Sequence, residues 1–415
     1  MERFESAKAQ YARLGVDVER ALEQLAGKAI SINCWQGDDV SGFDRPDGSA
    51  SDGIQTTGNY PGKARNFAEL TGDFAFAASL IPGKKRINLH ASYAVFGEGE
   101  WADRDRITFE PFRPWVDFAK DMGIGIDFNP TCFSHPMVVD GMTLASPDPD
   151  VRRFWIDHAR ACRSIAEEIG ARLDDKVLNN LWIPDGLKDV PADRLGPRLR
   201  LKDSLDRIFT EPLPHVIDSV ESKVFGIGLE SYTVGSNEFY MGYAATHPGI
   251  YNLLDNGHYH PLEYVSDKIS AMLCYFDILP LHVTRPVRWD SDHVVLLDDE
   301  LKEIMKEIVR NDALGKVLIG LDFFDASINR IAAWVIGTRS AQKALLYALT
   351  QPNEKLRALQ DGARFTEKLA LMEDAKTLPL GDIWAEYCRR QGAPQDGEWF
   401  EQVARYERDV LLKRA

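Results

Sequence analysis

The sequence lacks any long apolar run. No stretch approaches the roughly 18 consecutive apolar residues that a membrane-spanning helix requires, and residues 1–28 have the pattern of a charged amphipathic helix instead of a signal peptide. We therefore expect a cytoplasmic protein with no membrane partner. Hydrophobic residues make up 44% of the 415 residues and charged residues 27%, which is typical of a globular chain with a sizeable core.

Cysteine is scarce and poorly spaced for cross-linking. The chain contains Cys34, Cys132, Cys162, Cys274 and Cys388, an odd number with no Cys-x-x-Cys pair. Such spacing is typical of buried thiols in a reducing compartment. We therefore expect neither disulfides nor a structural zinc cluster.

Basic residues are fewer than acidic residues. The 49 Lys and Arg residues are outnumbered by 64 Asp and Glu residues, so the formal net charge is −15. A protein of this sign repels nucleic acid and anionic membranes, but it does not repel a neutral sugar or a divalent cation. We expect a small-molecule substrate and no nucleic-acid partner.

Three common catalytic motifs are also missing. The segment 226–231, Gly-Ile-Gly-Leu-Glu-Ser, lacks the third glycine of a dinucleotide fingerprint, and neither Gly-x-x-x-x-Gly-Lys-Ser/Thr nor Gly-x-Ser-x-Gly occurs. These absences disfavour nucleotide-binding enzymes and serine hydrolases.

Short apolar, β-branched runs alternate with segments of helical periodicity. The predicted strands are roughly 29–35, 86–93, 123–129, 177–183, 215–224, 250–254, 279–284 and 317–323. The predicted helices lie near 63–80, 112–122, 149–171, 198–211, 263–274, 299–313 and 328–350. The connection after the fifth strand shows no clear pattern.

Eight alternations favour a (β/α)8 TIM barrel, an α/β fold, over an open doubly wound sheet. We divide the chain into an N-terminal helix over 1–28, a catalytic barrel over 29–350 and a C-terminal helical extension over 351–415. The apolar residues of the extension recur at helical spacing, so it must pack against the outer helices or a partner subunit.

Acidic and imidazole side chains lie at or beyond the C-terminal ends of predicted strands five to eight, where the chemistry of such barrels is found. They are Glu221, Asp255, His258, His282, Asp290, Asp292 and Asp322. Successive strands are neighbours in a barrel, so these groups converge, and close carboxylates repel unless a cation lies between them. The set suffices for two cations and favours Mn²⁺ or Mg²⁺, with Co²⁺ or Zn²⁺ as substitutes.

Each of these residues also has an ordinary structural interpretation. Asp290 and Asp292 fit a solvated acidic turn, and His258 fits a hydrogen-bonding loop residue. Glu221 and Lys223 lie two apart on one strand, so they fit a buried salt bridge. The functional interpretation gives Glu221 to a metal and leaves Lys223 to polarise a substrate oxygen.

Four ring-bearing residues follow strand ends as well. They are Trp35, His90, Phe133 and Trp182. Their positions fit either core packing or an apolar wall around a sugar ring or a methyl group.

Six segments resemble L-rhamnose isomerases along nearly the whole chain. They are CWQGDDVSGF (34–43), GNYPGKARN (58–66), DFNPTCFSHP (127–136), WIPDG (182–186), SYTVGSNEFYMGY (231–243) and RPVRWDSDHVV (285–295). The resemblance implies a barrel of the xylose-isomerase type, a cytoplasmic homotetramer and a preference for Mn²⁺. It also implies reversible conversion of L-rhamnose to L-rhamnulose, the first step of L-rhamnose catabolism.

The resemblance also sorts the metal ligands by matching motif. The ion that anchors the sugar has the ligands Glu221, Asp255, His282 and Asp322. The second, catalytic ion has the ligands His258, Asp290 and Asp292. Asp322 and Lys223 are then catalytic groups, and the four rings together with Lys223 bind substrate. Two cations polarise both reacting oxygens and no base near C2 stands out, so we expect a direct hydride shift.

The sequence alone leaves two other classes of function open. A metal-dependent phosphodiesterase of the endonuclease type uses clustered His, Asp and Glu on the same barrel, although the negative charge disfavours nucleic acid. A sugar-binding protein with a structural ion would bind sugar without turnover. Neither explains seven convergent ligands beside Lys223 as well.

Overall fold

A computed structural model describes residues 2–36, 40, 42–44, 58–223, 231–287, 290–395 and 397–414, with only the backbone for 290–292. Eight parallel strands close into a barrel in which each strand pairs with the strands before and after it along the chain, and the last pairs with the first. The strands are β1 Ile30–Asn33, β2 Lys85–His90, β3 Gly125–Asn129, β4 Val177–Leu181, β5 Val216–Glu221, β6 Ile250–Asp255, β7 Leu279–Val283 and β8 Val317–Leu321. The predicted barrel is confirmed.

Helices surround the barrel and continue beyond it. They are α1 Glu2–Ala12, α2 Val18–Gly27, α3 Phe67–Ser79, α4 Arg113–Met122, α5 Pro149–Leu173, α6 Leu195–Ile208, α7 Asn237–Thr246, α8 Val265–Met272, α9 Asp299–Arg310, α10 Arg330–Leu349, α11 Asn353–Asp361, α12 Phe365–Ala375, α13 Leu380–Arg390 and α14 Glu398–Asp409. None of the helices in the described ranges is long and apolar enough to cross a membrane.

Local signals fix where several of these helices begin and end. The side chains of Asn66, Asp298 and Asn329 each accept a hydrogen bond from a backbone N–H of the first turn of α3, α9 and α10. These caps satisfy amide groups that have no partner inside the helix. Helix α4 ends at Gly123, whose φ of 64° is the left-handed conformation that glycine adopts readily.

The N-terminal segment forms two helices, not the single helix predicted for 1–28. Gly15 interrupts it with a φ of 83°, and Asp17 caps the second helix by accepting from the backbone N–H of Arg20 at 3.1 Å. The break lets α1 pack against α13 and α2 pack against α10, instead of extending as one rod.

The structure adds helix α7 after β5, where the sequence showed no clear pattern. The buried side chains of α7 include Tyr240, Tyr243 and Ala244, and glycine and polar residues interrupt the apolar period around them. A helix with so weak an amphipathic stripe carries little periodic signal.

The C-terminal extension is helical, as predicted, and forms the four α-helices α11 to α14. Helix α13 packs against α1 and α10, and it buries Trp384 and Tyr387. Helix α14 also contacts α10. The extension therefore packs on the outer helical layer, as its apolar spacing required. The division of the chain at residues 28 and 350 stays a prediction.

Two short two-stranded sheets stand outside the barrel, and the second of them is a hairpin. Residues Gly186–Leu187 pair with Tyr232–Thr233, and Arg285–Val287 pair with Asp290–His293, both antiparallel. The hairpin follows β7 directly. It therefore carries the segment with the predicted ligands Asp290 and Asp292 away from the barrel wall.

Candidate metal centre

Four potential metal ligands meet at the C-terminal ends of β5 to β8. Glu221 and Asp255 are the last residues of β5 and β6, His282 is the last but one of β7, and Asp322 follows β8 directly. One ligand atom from each of the four lies within 4.8 Å of the others. The structure thus brings together the whole set predicted for the anchoring ion, in a group that could hold a metal.

The barrel register accounts for this convergence. Asp255 and His282 are directly paired on neighbouring strands, and the backbone N–H of Asp322 donates to the carbonyl of Val283 at 3.2 Å. Glu221, Asp255 and His282 are almost fully buried, with exposures of 2–3%, whereas the side chain of Asp322 is 17% exposed. The group therefore has one side toward solvent, at Asp322.

The charges in this group are strongly coupled. Burial alone would raise the pKa of Glu221, but His282 and His258 outweigh it and hold that pKa well below the usual range. Burial, together with the Glu221 charge, raises the pKa of Asp255 to about 6. For His282, burial opposes the charged form, but Glu221, Asp322 and Asp255 raise the pKa to about 9. The carboxylates attract positive charge to this point, either as a proton or as a cation.

Polar atoms at the centre also fit a metal ion. Glu221 Oε1 and His282 Nδ1 are buried, and within the described part of the chain they face only other groups of the centre without hydrogen-bond geometry: His258 Nδ1 lies 3.0 Å from Glu221 Oε1, and Glu221 Oε2 lies 3.3 Å from His282 Nδ1. Such atoms are costly unless something else satisfies them. Three carboxylates and one imidazole form an oxygen-rich donor set of the kind that Mn²⁺ and Mg²⁺ accept. The residues present therefore fit a divalent cation.

His258, predicted for the second ion, is also in the centre. It is buried, with Nδ1 3.0 Å from Glu221 Oε1 and Nε2 3.8 Å from Asp255 Oδ2. Its predicted companions Asp290 and Asp292 lie on the returning strand of the hairpin after β7. Their side chains lie outside the described part of the structure, so the second ligand set stays a prediction.

The four predicted wall rings touch one another in chain order. The centroid of Trp35 lies 5.1 Å from that of His90, His90 lies 5.6 Å from Phe133, and Phe133 lies 5.6 Å from Trp182. The ammonium of Lys223 lies 4.9 Å from the centroid of Trp182. The rings form a continuous arc over the ends of β1 to β4, and Lys223 lies at the Trp182 end of this arc.

His90 is the polar member of this arc. Burial, and then the charges of His282 and Arg104, lower its pKa to about 3. Its Nδ1 lies 3.2 Å from the hydroxyl of Thr131. His90 is therefore a neutral imidazole at neutral pH, and such a ring offers one donor and one acceptor.

Two acidic residues at other strand ends have structural partners. Asp127 binds the guanidinium of Arg86 at 3.0 Å. Asp185 accepts from the backbone N–H groups of Thr143 and Ala145 at 2.9 and 2.7 Å, which ties the end of β4 to the preceding connection. Neither belongs to the four-ligand group.

Sequence reasoning missed Asn180 and Phe324. Asn180, on β4, donates to Glu221 Oε2 at 2.5 Å, and Phe324 stacks on Trp35 at 5.6 Å. The signal for Asn180 was two consecutive amides, Asn179 and Asn180, inside an otherwise apolar strand. The signal for Phe324 was its position just beyond the last strand, beside the ligand Asp322.

Comparison with known proteins gives a family model and full-length relatives that match nearly the whole chain. The family model for L-rhamnose isomerase (RhaA) matches residues 1–414. The L-rhamnose isomerase of Escherichia coli O127:H6 is 55% identical over 413 residues, which cover 99% of this chain and 98% of that protein. That of Salmonella paratyphi B is 54% identical over 414 residues, with 99% and 98% coverage. A solved L-ribulose 3-epimerase aligns over 80% of this chain and 97% of its own, with a TM-score of 0.46 and 12% identity. The chain belongs to the L-rhamnose isomerase family.

Proposed function

We propose that this protein interconverts L-rhamnose and L-rhamnulose as the first step of L-rhamnose catabolism. The observation that carries the proposal is the buried group of Glu221, Asp255, His282 and Asp322 at the mouth of the barrel, in a full-length member of the family. An aldose–ketose isomerisation moves one hydrogen from C2 to C1 and redistributes the hydroxyl protons. It consumes no external oxidant or reductant.

The site is proposed to hold two divalent cations, with Mn²⁺ preferred. The four-residue group holds the anchoring ion, and His258, Asp290 and Asp292 hold the catalytic ion. When bound, such ions polarise the sugar oxygens as Lewis acids and make coordinated water more acidic. Glu221 Oε1 and His282 Nδ1 are buried and face other ligand atoms of the described structure without hydrogen-bond geometry, which supports a cation between these groups.

Lys223 and Asp322 are the proposed catalytic side chains. Lys223 holds a positive charge at the edge of the site, 4.9 Å from the centroid of Trp182, where it stabilises the negative charge that develops on the carbonyl oxygen. Asp322 has the most exposed carboxylate of the four-residue group, so it can take up and return a hydroxyl proton of the sugar. The hydrogen on C2 moves to C1 as a hydride, so its transfer needs no separate base.

The arc of Trp35, His90, Phe133 and Trp182 is the proposed sugar-binding wall. Its apolar faces suit the methyl group and the carbon skeleton of a 6-deoxy sugar. The neutral His90 adds a hydrogen-bonding group to a mainly apolar surface. Specificity for L-rhamnose over other aldoses then depends on how this wall accepts a methyl group where other sugars carry a hydroxymethyl group.

The protein is further proposed to work as a cytoplasmic homotetramer, with the C-terminal extension contributing to packing or to oligomerisation. Phe365 and Leu369 on α12 and Phe400 on α14 are each more than half exposed, and apolar side chains of this kind suit a subunit contact. Sedimentation velocity tests the assembly. A stable monomer at micromolar concentration contradicts it.

A panel of aldoses incubated with the purified protein and Mn²⁺, with ketose as the readout, tests the activity. We expect L-rhamnose to give ketose at a higher rate than any aldose that differs at C2, C3 or C6. Sugar binding without ketose would indicate a binding protein with a structural ion. Cleavage of abasic DNA would indicate a phosphodiesterase. Either result overturns the proposal.

A further inference from the structure

Two consecutive asparagines on β4 point to opposite sides of the barrel wall. Asn179 donates to Asp218 Oδ1 at 3.0 Å, and Asp218 is held by the guanidinium of Arg163 on α5 at 2.8 Å. Asn180 donates to Glu221 Oε2 at 2.5 Å. Because side chains alternate along a strand, Asn179 faces the helical layer and Asn180 faces the barrel interior.

A third residue fixes the orientation of the Asn180 amide. The hydroxyl of Ser219 donates to Asn180 Oδ1 at 2.8 Å. Ser219 and Glu221 lie two apart on β5, so they face the same side as Asn180. With its oxygen bound to the hydroxyl, the amide must direct its NH₂ group at Glu221. A carboxylate only accepts hydrogen bonds, so the reversed amide would set two acceptors against each other.

The hydrogen bonds from Ser219 to Asn180 and from Asn180 to Glu221 restrain one oxygen of the Glu221 carboxylate. Oε2 receives the Asn180 hydrogen bond, whereas the buried Oε1 faces another proposed metal ligand, with His258 Nδ1 3.0 Å away but not in hydrogen-bond geometry. Asn180 and Ser219 are themselves 2% and 0% exposed, so water does not compete for them. A glutamate side chain has several rotatable bonds, and holding it in one rotamer removes an entropic cost of ligand binding.

We propose that Asn180 is a positioning residue that sets the Glu221 carboxylate for binding of a divalent cation, and that Ser219 sets Asn180 in turn. The inference rests on the proposed function only in taking Glu221 as a metal ligand. Groups that orient a metal ligand from behind typically change metal affinity by about 10- to 100-fold. In this proposal, Asn180 and Ser219 act only on the Glu221 carboxylate and do not contact the sugar.

The test is calorimetric titration of Mn²⁺ into metal-free full-length protein, so that it does not depend on turnover. Asn180→Ala is expected to weaken one Mn²⁺ binding event by about 10- to 100-fold. Ser219→Ala, which frees the amide to rotate, is expected to weaken the same event by a smaller factor. Circular dichroism and thermal melting of the metal-free proteins monitor folding.

Asn179→Ala is the matched control. It also removes one amide hydrogen bond from a buried carboxylate on the same pair of strands, but on the opposite face. We expect its Mn²⁺ affinity to stay within about twofold of wild type, since Arg163 still holds Asp218.

The outcomes separate this inference from the proposed function. Wild-type Mn²⁺ affinity in Asn180→Ala, or an equal loss in Asn179→Ala, overturns the positioning role. If Asn180→Ala does not fold, wild-type affinity in Ser219→Ala overturns it. A wild-type protein that binds Mn²⁺ but makes no ketose overturns the proposed function and leaves the positioning role standing.

Discussion

Asp255 and His282 lie directly opposite each other in the register of β6 and β7. Their positions in the sequence are 27 apart, yet the strand pairing places an acid and an imidazole side by side at the end of the barrel. Glu221 on the preceding strand and Asp322 after the following one complete the group. One register therefore determines the geometry of the proposed metal centre, and predictions about the centre test that register as well.

Removing metal should inactivate the protein reversibly. Exhaustive EDTA treatment followed by gel filtration should abolish ketose formation, and added Mn²⁺ should restore most of it, because the four ligands cannot polarise a sugar without a cation. The metal-free form should also melt at a lower temperature, since an ion that binds only the folded state stabilises it. Full activity in the metal-free protein would contradict any catalytic role for a metal.

Neutralising Asp290 and Asp292 together tests whether the second proposed ion is needed for ketose formation. The double variant Asp290→Asn with Asp292→Asn should lose essentially all ketose formation while its circular dichroism spectrum stays unchanged, because the two residues lie on a hairpin outside the barrel. Asp299→Asn is the control, since this aspartate has a fully exposed side chain at the start of α9. Near-native turnover in the double variant would remove the hairpin from the mechanism.

The substitution Lys223→Met tests the catalytic role of the positive charge beside the proposed sugar-binding wall. We expect kcat to fall by about 10²- to 10³-fold with a smaller change in KM, because the charge acts on the oxygen that becomes negative in the transition state. Lys268→Met is a matched control, as Lys268 also lies over an aromatic ring, 4.5 Å from the centroid of Tyr259. Equal kinetic effects in both variants would indicate that Lys223 only supports packing.

The strands and most ligands could be predicted because both depend on local pattern. Apolar runs predict strands, and polar residues at their C-terminal ends mark the mouth of a barrel, which is how Glu221, Asp255 and Asp322 were found. Asn180 could not be predicted in this way. Its proposed role depends on which face of β4 points into the barrel interior, and a short run with polar residues on both faces does not reveal that.

Contacts between distant parts of the chain were also beyond sequence reasoning. Arg414, near the C-terminus, binds Asp73 on α3 through both terminal nitrogens, at 2.6 and 2.7 Å. Asp73 also accepts from Tyr406 at 2.7 Å and from Gln36, which follows the wall residue Trp35. No periodicity relates positions 341 residues apart, so only the packing of the C-terminal extension on the outer helices brings them together.

This ion pair gives a stability prediction. The Asp73 side chain is fully buried and that of Arg414 is 7% exposed, so Arg414→Ala should cost about 3–5 kcal/mol because it leaves a buried carboxylate without its cation. Chemical denaturation measures the loss. Adding Asp73→Asn should recover part of it, whereas Arg408→Ala, at an exposed position in the last turn of α14, should change stability by less than about 0.5 kcal/mol. Equal stabilities of Arg414→Ala and wild type would contradict the buried pair.

The most direct test of the proposed isomerisation follows the hydrogen that moves from C2 to C1. L-rhamnose labelled with deuterium at C2 is incubated with the protein and Mn²⁺ in ordinary water, and the L-rhamnulose formed is examined by NMR. The hydride shift predicts ketose with the deuterium retained at C1, because the hydrogen moves directly between the two carbons. Ketose whose deuterium has exchanged into the solvent would contradict the hydride shift, and the absence of ketose would contradict the proposed function.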